Sequence, residues 1–482
     1  MRTIRHFIDG EFVDAADGAT FRSTSPIDGV DIAEVAEGSA QDAGRAVDAA
    51  LAAADGWGQT PPAQRRRLLH AIADRVEERG DELAEWETRD MGKPITAART
   101  KDVARTADNF RYFADYIEHA GTRAYDRPWA DSFGYELRDP LGVVAAISPW
   151  NFPLMLLSWK VAPALAFGCP VVAKPAEQSP VTASLLAEIC AEVGLPDGVF
   201  NVVHGFGPHA AGEALTTHPD VAGVTFTGES ATGKAIMRAA AGSLKKLSFE
   251  LGGKSPTIVM DDADLDEAVA GSLLGSFMNQ GEVCLAGNRI LVQRGIYDEF
   301  CSRMVDGTAA WTLGNPLEPA TKVGPLVSAE HLDKVLGYIQ GAEAEGAKRL
   351  IGGERRTDGP FADGFYLEPT IFADVSQNAR ICREEVFGPV VTIQPFDTED
   401  EALTMANDTP YGLAAMVWTK HLDRANRLAR GLRAGNIWIN CFFVRDLRLP
   451  FGGYKESGLG REGGEHSYEF FTEAKSVVTK LG

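Results

Sequence analysis

The chain has 482 residues, 45% of them hydrophobic and 24% charged, a globular balance whose length implies two or three domains rather than one core. A net charge of −21 argues against a nucleic-acid or anionic-membrane surface. The six cysteines (Cys169, Cys190, Cys284, Cys301, Cys382, Cys441) show no CxxC spacing, and no His/Cys cluster has metal-ligand spacing. Free thiols, one of them a candidate nucleophile, and no metal are therefore expected.

No apolar run is long enough for a membrane span. The opening MRTIRHFIDGEFVD has no apolar core ahead of a small-residue cleavage site, so the cytoplasm is the expected compartment. A short strand region, His6 to Val13, precedes a long stretch, Ala40 to His119, with helical periodicity; Ala104 to Ile117 keeps its apolar residues on one face. Residues Ala124 to Arg138 read as strands, as in a hairpin.

From Gly142 the pattern alternates. Apolar runs at Gly142–Ser148, Pro170–Lys174, Val199–Val203, Val221–Phe226 and Leu244–Glu250 are separated by helical segments at Leu156–Phe167, Pro180–Val193, after Pro208 and from Ala231. That alternation predicts a doubly wound parallel α/β sheet. A second series, Ser255 to about Asn440, predicts a second α/β domain, with strands at Arg289–Val292, Val390–Pro395, Ala414–Trp418 and Asn436–Asn440. The tail Glu469–Lys480 alternates as a final strand with no partner in its neighbourhood, and is expected to pair with another subunit.

Two glycine patterns compete as phosphate loops. Gly205-Phe-Gly207-Pro-His-Ala210 follows a strand and nearly matches GxGxxG/A. Gly228-Glu-Ser-Ala-Thr-Gly233 also opens a helix, whose N–H groups would face an anion. Either can equally be a tight strand-to-helix turn. Lys174 and Glu177 stand at a strand's C-terminal end, where ligands of open α/β sheets bind, and both suit ribose hydroxyls. A carboxylate there repels a 2′-phosphate, which favours NAD over NADP; the bland alternative is a surface ion pair.

Cys284 sits in a polar, small-residue loop, Asn279-Gln-Gly-Glu-Val-Cys-Leu-Ala-Gly-Asn-Arg289, and Glu250 ends a strand before two glycines. Alone, the first is more often a structural cysteine and the second a solvated strand end. In order along the chain, however, Ser148-Pro-Trp-Asn-Phe-Pro153, Lys174-Pro-Ala-Glu177, Phe226-Thr-Gly228, Glu250-Leu-Gly-Gly-Lys254, the Cys284 loop, Glu384-Glu-Val-Phe-Gly-Pro389 and Pro450-Phe-Gly-Gly453 form a specific set. The chain resembles the aldehyde dehydrogenase superfamily over essentially its whole length.

The resemblance implies that Cys284 attacks the aldehyde carbon, that Asn151 and the Cys284 N–H hold the oxyanion, and that Glu250 activates water against the thioester. It implies NAD contacts at Trp150, Lys174, Glu177, Gly207, Phe226, Gly228, Ser230, Gly233, Leu251, Glu385 and Phe387. It implies an NAD-binding domain of residues 1–119 and 142–251, a catalytic domain of 252–452, and a small bridging element of 120–141 and 453–482 in a homodimer or homotetramer. Two departures stand out. Glu282 replaces a common Gln, with little consequence expected, and Glu229 replaces a common Ser, which puts the pyrophosphate contact in doubt.

The loop Asn440-Cys-Phe-Phe-Val-Arg-Asp-Leu-Arg-Leu-Pro450 resembles that of the muconic semialdehyde dehydrogenases of ring meta-cleavage (2-hydroxymuconic, 2-aminomuconic and carboxymethyl-hydroxymuconic types). There, arginines matching Arg105 and Arg445 bind the substrate carboxylate, and paired arginines suit a carboxylate by bidentate bonds. The alternatives are that Arg445 pairs with Asp446 and Arg105 is a solvated helix residue, and that the enzyme is a general or betaine-type aldehyde dehydrogenase. A coenzyme A-dependent relative would lack the base Glu250.

Overall fold

The computed structural model describes residues 1–482, the side chain of Pro128 excepted. Its first large sheet has eight strands in the order Gly458–Leu459, Lys246–Glu250, Gly223–Thr227, Val144–Ile147, Val171–Lys174, Phe200–Val202, His6–Ile8, Glu11–Val13. The five middle members of that order from Lys246–Glu250 to Phe200–Val202 run parallel, as expected. Their short Val, Ala and Ile runs are buried because helices cover both faces. The order of successive strands reverses between Val144–Ile147 and Gly223–Thr227, which makes the crevice beyond those two C-terminal ends the natural ligand position.

The second large sheet runs Lys348–Ile351, Thr370–Ala373, Val390–Phe396, Arg289–Gln293, Pro256–Val259, Ala414–Trp418, Asn436–Ile439, parallel except at the first edge strand. It is the second α/β layer expected from the sequence.

The tail departs from expectation. Residues Gly464–Phe471 are helical, and the strand begins only at Thr472. That strand is not without a partner: Thr472–Lys480 pairs antiparallel with Ser132–Pro140 of the same chain, from Thr472↔Pro140 to Lys480↔Ser132. A nine-residue ladder satisfies its inward-facing backbone groups, which removes the reason to seek another subunit on that side. Further up the chain, Gly458–Leu459 extends the first sheet beside Lys246–Glu250. The expected hairpin forms from Ala124–Arg127 and Ser132–Pro140.

Two features were not expected. Arg2–Ile4, Thr20–Thr24 and Asp31–Ala36 build a separate three-stranded sheet. And the helical stretch leading to His119 is interrupted by a π-helical segment, Ala98–Val103, immediately before Arg105. Such wide turns insert an extra residue and often occur at functional sites.

Candidate active site

The crevice opens into a cavity of about 340 Å³. Cys284, Glu250, Arg105, Arg445, Lys101, Trp159 and Glu462 all line it, together with Phe152, Phe442, Phe443 and Phe451. Such an apolar wall with a few converging polar groups is the usual form of a small-molecule site.

Glu250 reaches the cavity because it is the last residue of its strand, clamped on one side by Thr227 and on the other by Gly458. The two glycines after it are required by close approach. A Cβ on Gly253 would lie 2.6 Å from the Cys284 carbonyl, and one on Gly252 would strike the Glu385 carboxylate. Gly253 N–H also donates to Glu385 Oε1 at 2.9 Å.

The Cys284 loop is held by unusual backbone. Asn279 and Gln280 both adopt left-handed φ, 52° and 56°, and are buried. Asn279 Nδ2 donates to the carbonyls of Asn151 and Glu282, each at 3.1 Å. Asn151 Nδ2 donates to the Glu282 carbonyl at 2.9 Å. An amide nitrogen carries two hydrogens, so one is spent orienting Asn151 and one is left.

Glu282 is not incidental. It is fully buried, its Oε1 accepts from Val327 N–H at 3.0 Å and its Oε2 from Gln280 Nε2 at 3.3 Å. Burial drives its pKa well above the carboxylate range, which favours the neutral form.

The electrostatics of the cavity favour neutral reactants. Burial, then Glu385 and Glu250, push the Cys284 thiol up to about 12. Burial and then Glu462 push Glu250 well above its ordinary range, and its oxygens find no hydrogen-bond partner among the described residues. Glu462 is itself gripped by Lys160 Nζ at 2.7 Å, which also reaches Thr225 Oγ1 at 3.1 Å. A thiol and a carboxyl whose pKa values are both lifted can exchange a proton, whereas a solvated carboxylate is too weak a base.

Arg105 and Arg445 meet over one aromatic surface. Their guanidinium carbons lie 5.3 and 5.4 Å from the centroid of the Trp159 ring, and Arg445 also lies 3.8 Å from that of Phe451. Neither makes an ion pair among the described residues; Asp446 is taken by Arg448 at 2.6 Å. Burial and the neighbouring Arg105 pull Arg445 down to about 10.

Most of the residues assigned to the dinucleotide follow the C-terminal ends of the first sheet's strands: Trp150 after Val144–Ile147, Lys174 and Glu177 at Val171–Lys174, Gly228 and Ser230 after Gly223–Thr227, Leu251 after Lys246–Glu250. Gly228 N–H donates to the Glu250 carbonyl at 3.1 Å and Leu251 N–H to that of Ser457 at 2.9 Å, while a Cβ on Gly233 would press on Leu251. Ser230 opens the helix Ser230–Ala240 and donates to the Glu456 carbonyl at 3.1 Å. Phe226 is buried beneath. On the facing wall Trp150 packs edge-on against Phe387 (5.3 Å) and His331 (5.2 Å), and His331 Nε2 lies 2.7 Å from the Phe387 carbonyl. At the far end Lys174 Nζ meets Glu177 Oε2 at 3.3 Å. Gly207 stands further off, in an open loop beyond Phe200–Val202. Glu229 caps nothing with its side chain; its nearest cation is Lys334, at 4.0 Å.

Sequence reasoning missed Lys101, Lys160, Trp159 and Glu462. Lys160 carried a signal: it is the single charge in the otherwise apolar helix Pro153–Ala166, and buried lysines are rare unless paired.

Residues 12–477 match the model of the aldehyde dehydrogenase family. A 2-hydroxymuconic semialdehyde dehydrogenase of Pseudomonas sp. (strain CF600) is 48% identical over the full length of both chains. A 2-aminomuconic 6-semialdehyde dehydrogenase of Pseudomonas sp. is 46% identical, covering 100% of this chain and 99% of its own. Among solved structures, HpcC from Thermus thermophilus superposes with a TM-score of 0.98 at 46% identity, covering 100% of this chain and 94% of that one. An indole-3-acetaldehyde dehydrogenase of P. syringae in complex with NAD+ and IAA superposes with a TM-score of 0.97 at 44% identity, covering 99% and 96%. The chain belongs to the aldehyde dehydrogenase family.

Proposed function

We propose that this enzyme oxidises a carboxylated semialdehyde to the diacid with NAD, through a thiohemiacetal and a thioester on Cys284. The observation that carries the substrate class is the pair Arg105 and Arg445, both without an acidic partner, converging over Trp159 in the cavity that holds the thiol. The names of the two Pseudomonas relatives point to the same class. A betaine-type substrate is disfavoured, because Arg445 already covers the Trp159 and Phe451 faces a quaternary ammonium would need.

The residues fit a dinucleotide. The crevice sits at the strand-order reversal, the helix Ser230–Ala240 points its free N–H groups into it, and the buried hydroxyls of Ser148 and Thr227 at its edge have no partner among the described residues. Glu385 would hold the nicotinamide ribose, Gly228, Ser230 and Gly233 the pyrophosphate, and Lys174 and Glu177 the adenosine ribose, near Gly207. Trp150, Phe226, Leu251 and Phe387 would supply the apolar walls. Glu177 disfavours a 2′-phosphate, hence NAD rather than NADP. When bound, the nicotinamide accepts a hydride.

The protein's own groups do the rest. Glu250 takes the Cys284 proton as sulfur bonds to the aldehyde carbon. The free hydrogen of the Asn151 amide and the Cys284 N–H face the developing oxyanion. Glu250 then passes the thiol proton to solvent. Against the thioester left by oxidation it takes a proton from water, whose oxygen attacks the carbonyl carbon. The expelled Cys284 sulfur takes that proton back as the product leaves as a free acid. The sheet of residues 124–140 and 472–480, with Tyr125 and Val478 exposed, suits a homodimer or homotetramer, and the working compartment is the cytoplasm.

The test is initial rates with NAD and NADP on 2-hydroxymuconic semialdehyde, hexanal and betaine aldehyde. A kcat/KM at least about a hundredfold higher for the semialdehyde, the worth of a bidentate charge-assisted contact, is expected. Equal or faster oxidation of betaine aldehyde overturns the reading.

A further inference from the structure

We propose that Lys101 reads a second anionic oxygen of the substrate, an ionised enol, beside the carboxylate held by Arg105 and Arg445. The inference deepens the semialdehyde reading and rests on it.

Lys101 lines the same cavity as Cys284 and is half-buried. Its one hydrogen-bond contact is the Met278 sulfur at 3.0 Å, a weak acceptor. Its other neighbour is the face of Phe443, 5.6 Å from the ring centroid. The adjacent carboxylate, Asp102, is engaged by the buried Lys93. No carboxylate lies within ion-pair distance of Lys101 among the described residues. An ammonium partly removed from water gains from an anion, and the carboxylate whose charge reaches it, Asp102, is already engaged by Lys93.

The charge balance of the cavity points the same way. It holds three cations without partners, Lys101, Arg105 and Arg445, against Glu250 and Glu462. Glu462 is matched by Lys160, and Glu250 is driven towards its neutral form. One carboxylate leaves most of that positive charge unanswered.

Position separates the third cation from the other two. Arg105 and Arg445 share the Trp159 ring, whereas Lys101 stands over Phe443, whose ring stacks on Phe152 beside Asn151. The oxygen it meets therefore belongs to the substrate's body rather than its carboxylate end. The π-helical turn Ala98–Val103 carries Lys101 and leads directly into Arg105, so one backbone irregularity sets both side chains into the cavity.

Chemistry selects the oxygen. Guanidinium forks match the two oxygens of a carboxylate; an ammonium is a compact point charge suited to one. A hydroxyl conjugated through carbon–carbon double bonds to an aldehyde is a vinylogous acid and ionises far more readily than an alcohol. Its anion is a single charged oxygen.

The experiment is Lys101→Met in the full-length enzyme, with Lys101→Arg as the charge-retaining control. Substrates are 2-hydroxymuconic semialdehyde (carboxylate and enol), 6-oxohexanoate (carboxylate alone) and hexanal (neither). Lys101→Met is expected to lower kcat/KM for the enol substrate at least about tenfold, mainly through KM, and the other two by less than about threefold. The loss should shrink at pH values low enough to protonate the enol, and Lys101→Arg should restore part of it. An equal loss on 6-oxohexanoate, or none on the enol substrate, overturns the proposal. So does a loss confined to a derivative with a branch carboxylate, such as 5-carboxymethyl-2-hydroxymuconic semialdehyde. Failure of the parent reading looks different: the unmodified enzyme would not prefer 6-oxohexanoate to hexanal.

Discussion

Asn151 donates its side-chain amide to the main-chain carbonyl of Glu282, at 2.9 Å. The residue expected to hold the oxyanion is thus oriented by a residue expected to matter little. Burial raises the Glu282 pKa well above the carboxylate range and favours a neutral side chain, the charge and shape of a glutamine. Glu282→Gln should keep kcat within about threefold, whereas Glu282→Ala leaves Val327 N–H and Gln280 unpaired and should cost about 1–3 kcal/mol of stability. The sign with pH follows from the raised native pKa: its contribution is fully present below the unfolded carboxyl pKa and is lost as pH rises through the native one. The gap in Tm between Glu282→Gln and the parent should therefore move in the variant's favour at alkaline pH. Thermal melts across pH test this, and a pH-independent gap refutes it.

Glu250→Gln should lower turnover by about 10²–10⁴-fold, the usual worth of a general base. Because Glu250 also takes the thiol proton, acylation itself should slow, and no burst of NADH should precede the steady state. Because its native pKa lies well above the ordinary carboxylate value, activity in the parent should rise with pH through that raised value as the base form appears. The variant should lack this rise. Wild-type turnover in Glu250→Gln would remove the base from the mechanism.

Glu462 raises the Glu250 pKa while Lys160 lowers it. Glu462→Gln removes the first influence and frees the second, so the acid limb of the pH–rate profile should shift to lower pH. The same change strands Lys160 and should cost about 3–5 kcal/mol of stability, as breaking buried pairs does. An acid limb that stays in place shows that the two carboxyls do not communicate.

Arg445→Ala should cut kcat/KM for a carboxylated semialdehyde by about tenfold or more, the loss of one charge-assisted contact, and leave hexanal nearly unchanged. Arg105→Ala should behave alike. Parallel losses on both substrates would mark the arginines as packing residues on Trp159 instead.

Glu229 places a carboxylate at the N-cap of the helix Ser230–Ala240 without making a capping bond. Glu229→Ser should add about 1 kcal/mol of stability through a cap hydroxyl and tighten NAD binding, read by nucleotide fluorescence titration. Weaker binding in Glu229→Ser would show that the carboxylate, with Lys334 across the crevice, assists closure.

The parallel strands were legible because Val144–Ile147, Val171–Lys174 and Gly223–Thr227 are short apolar runs whose burial on both faces demands such composition. The N-terminal three-stranded sheet was not, since Thr20–Thr24 and Asp31–Ala36 mix polar and apolar residues with no strong period. The family was legible from the motifs around Asn151, Glu250 and Cys284, because they keep their order along the chain. Glu282 and Lys101 were not, because burial and the lack of a counter-charge are properties of neighbours distant in sequence. A π-helical turn leaves no trace either, as Ala98–Val103 reads as ordinary helix. The tail strand misled for a related reason: its partner, Ser132–Pro140, lies hundreds of residues earlier.

Glu250 closes its strand against Gly458, in a segment made long after it. A nascent chain that has passed Cys284 already holds Cys284, Glu250 and Asn151, yet the Glu250 strand still has a bare edge. Residues 458–480 then supply both the missing edge of the first sheet and the ladder beside Ser132–Pro140. Chains broken off before Gly458 should leave Glu250 unseated, so catalytic competence waits for a segment made long after Cys284.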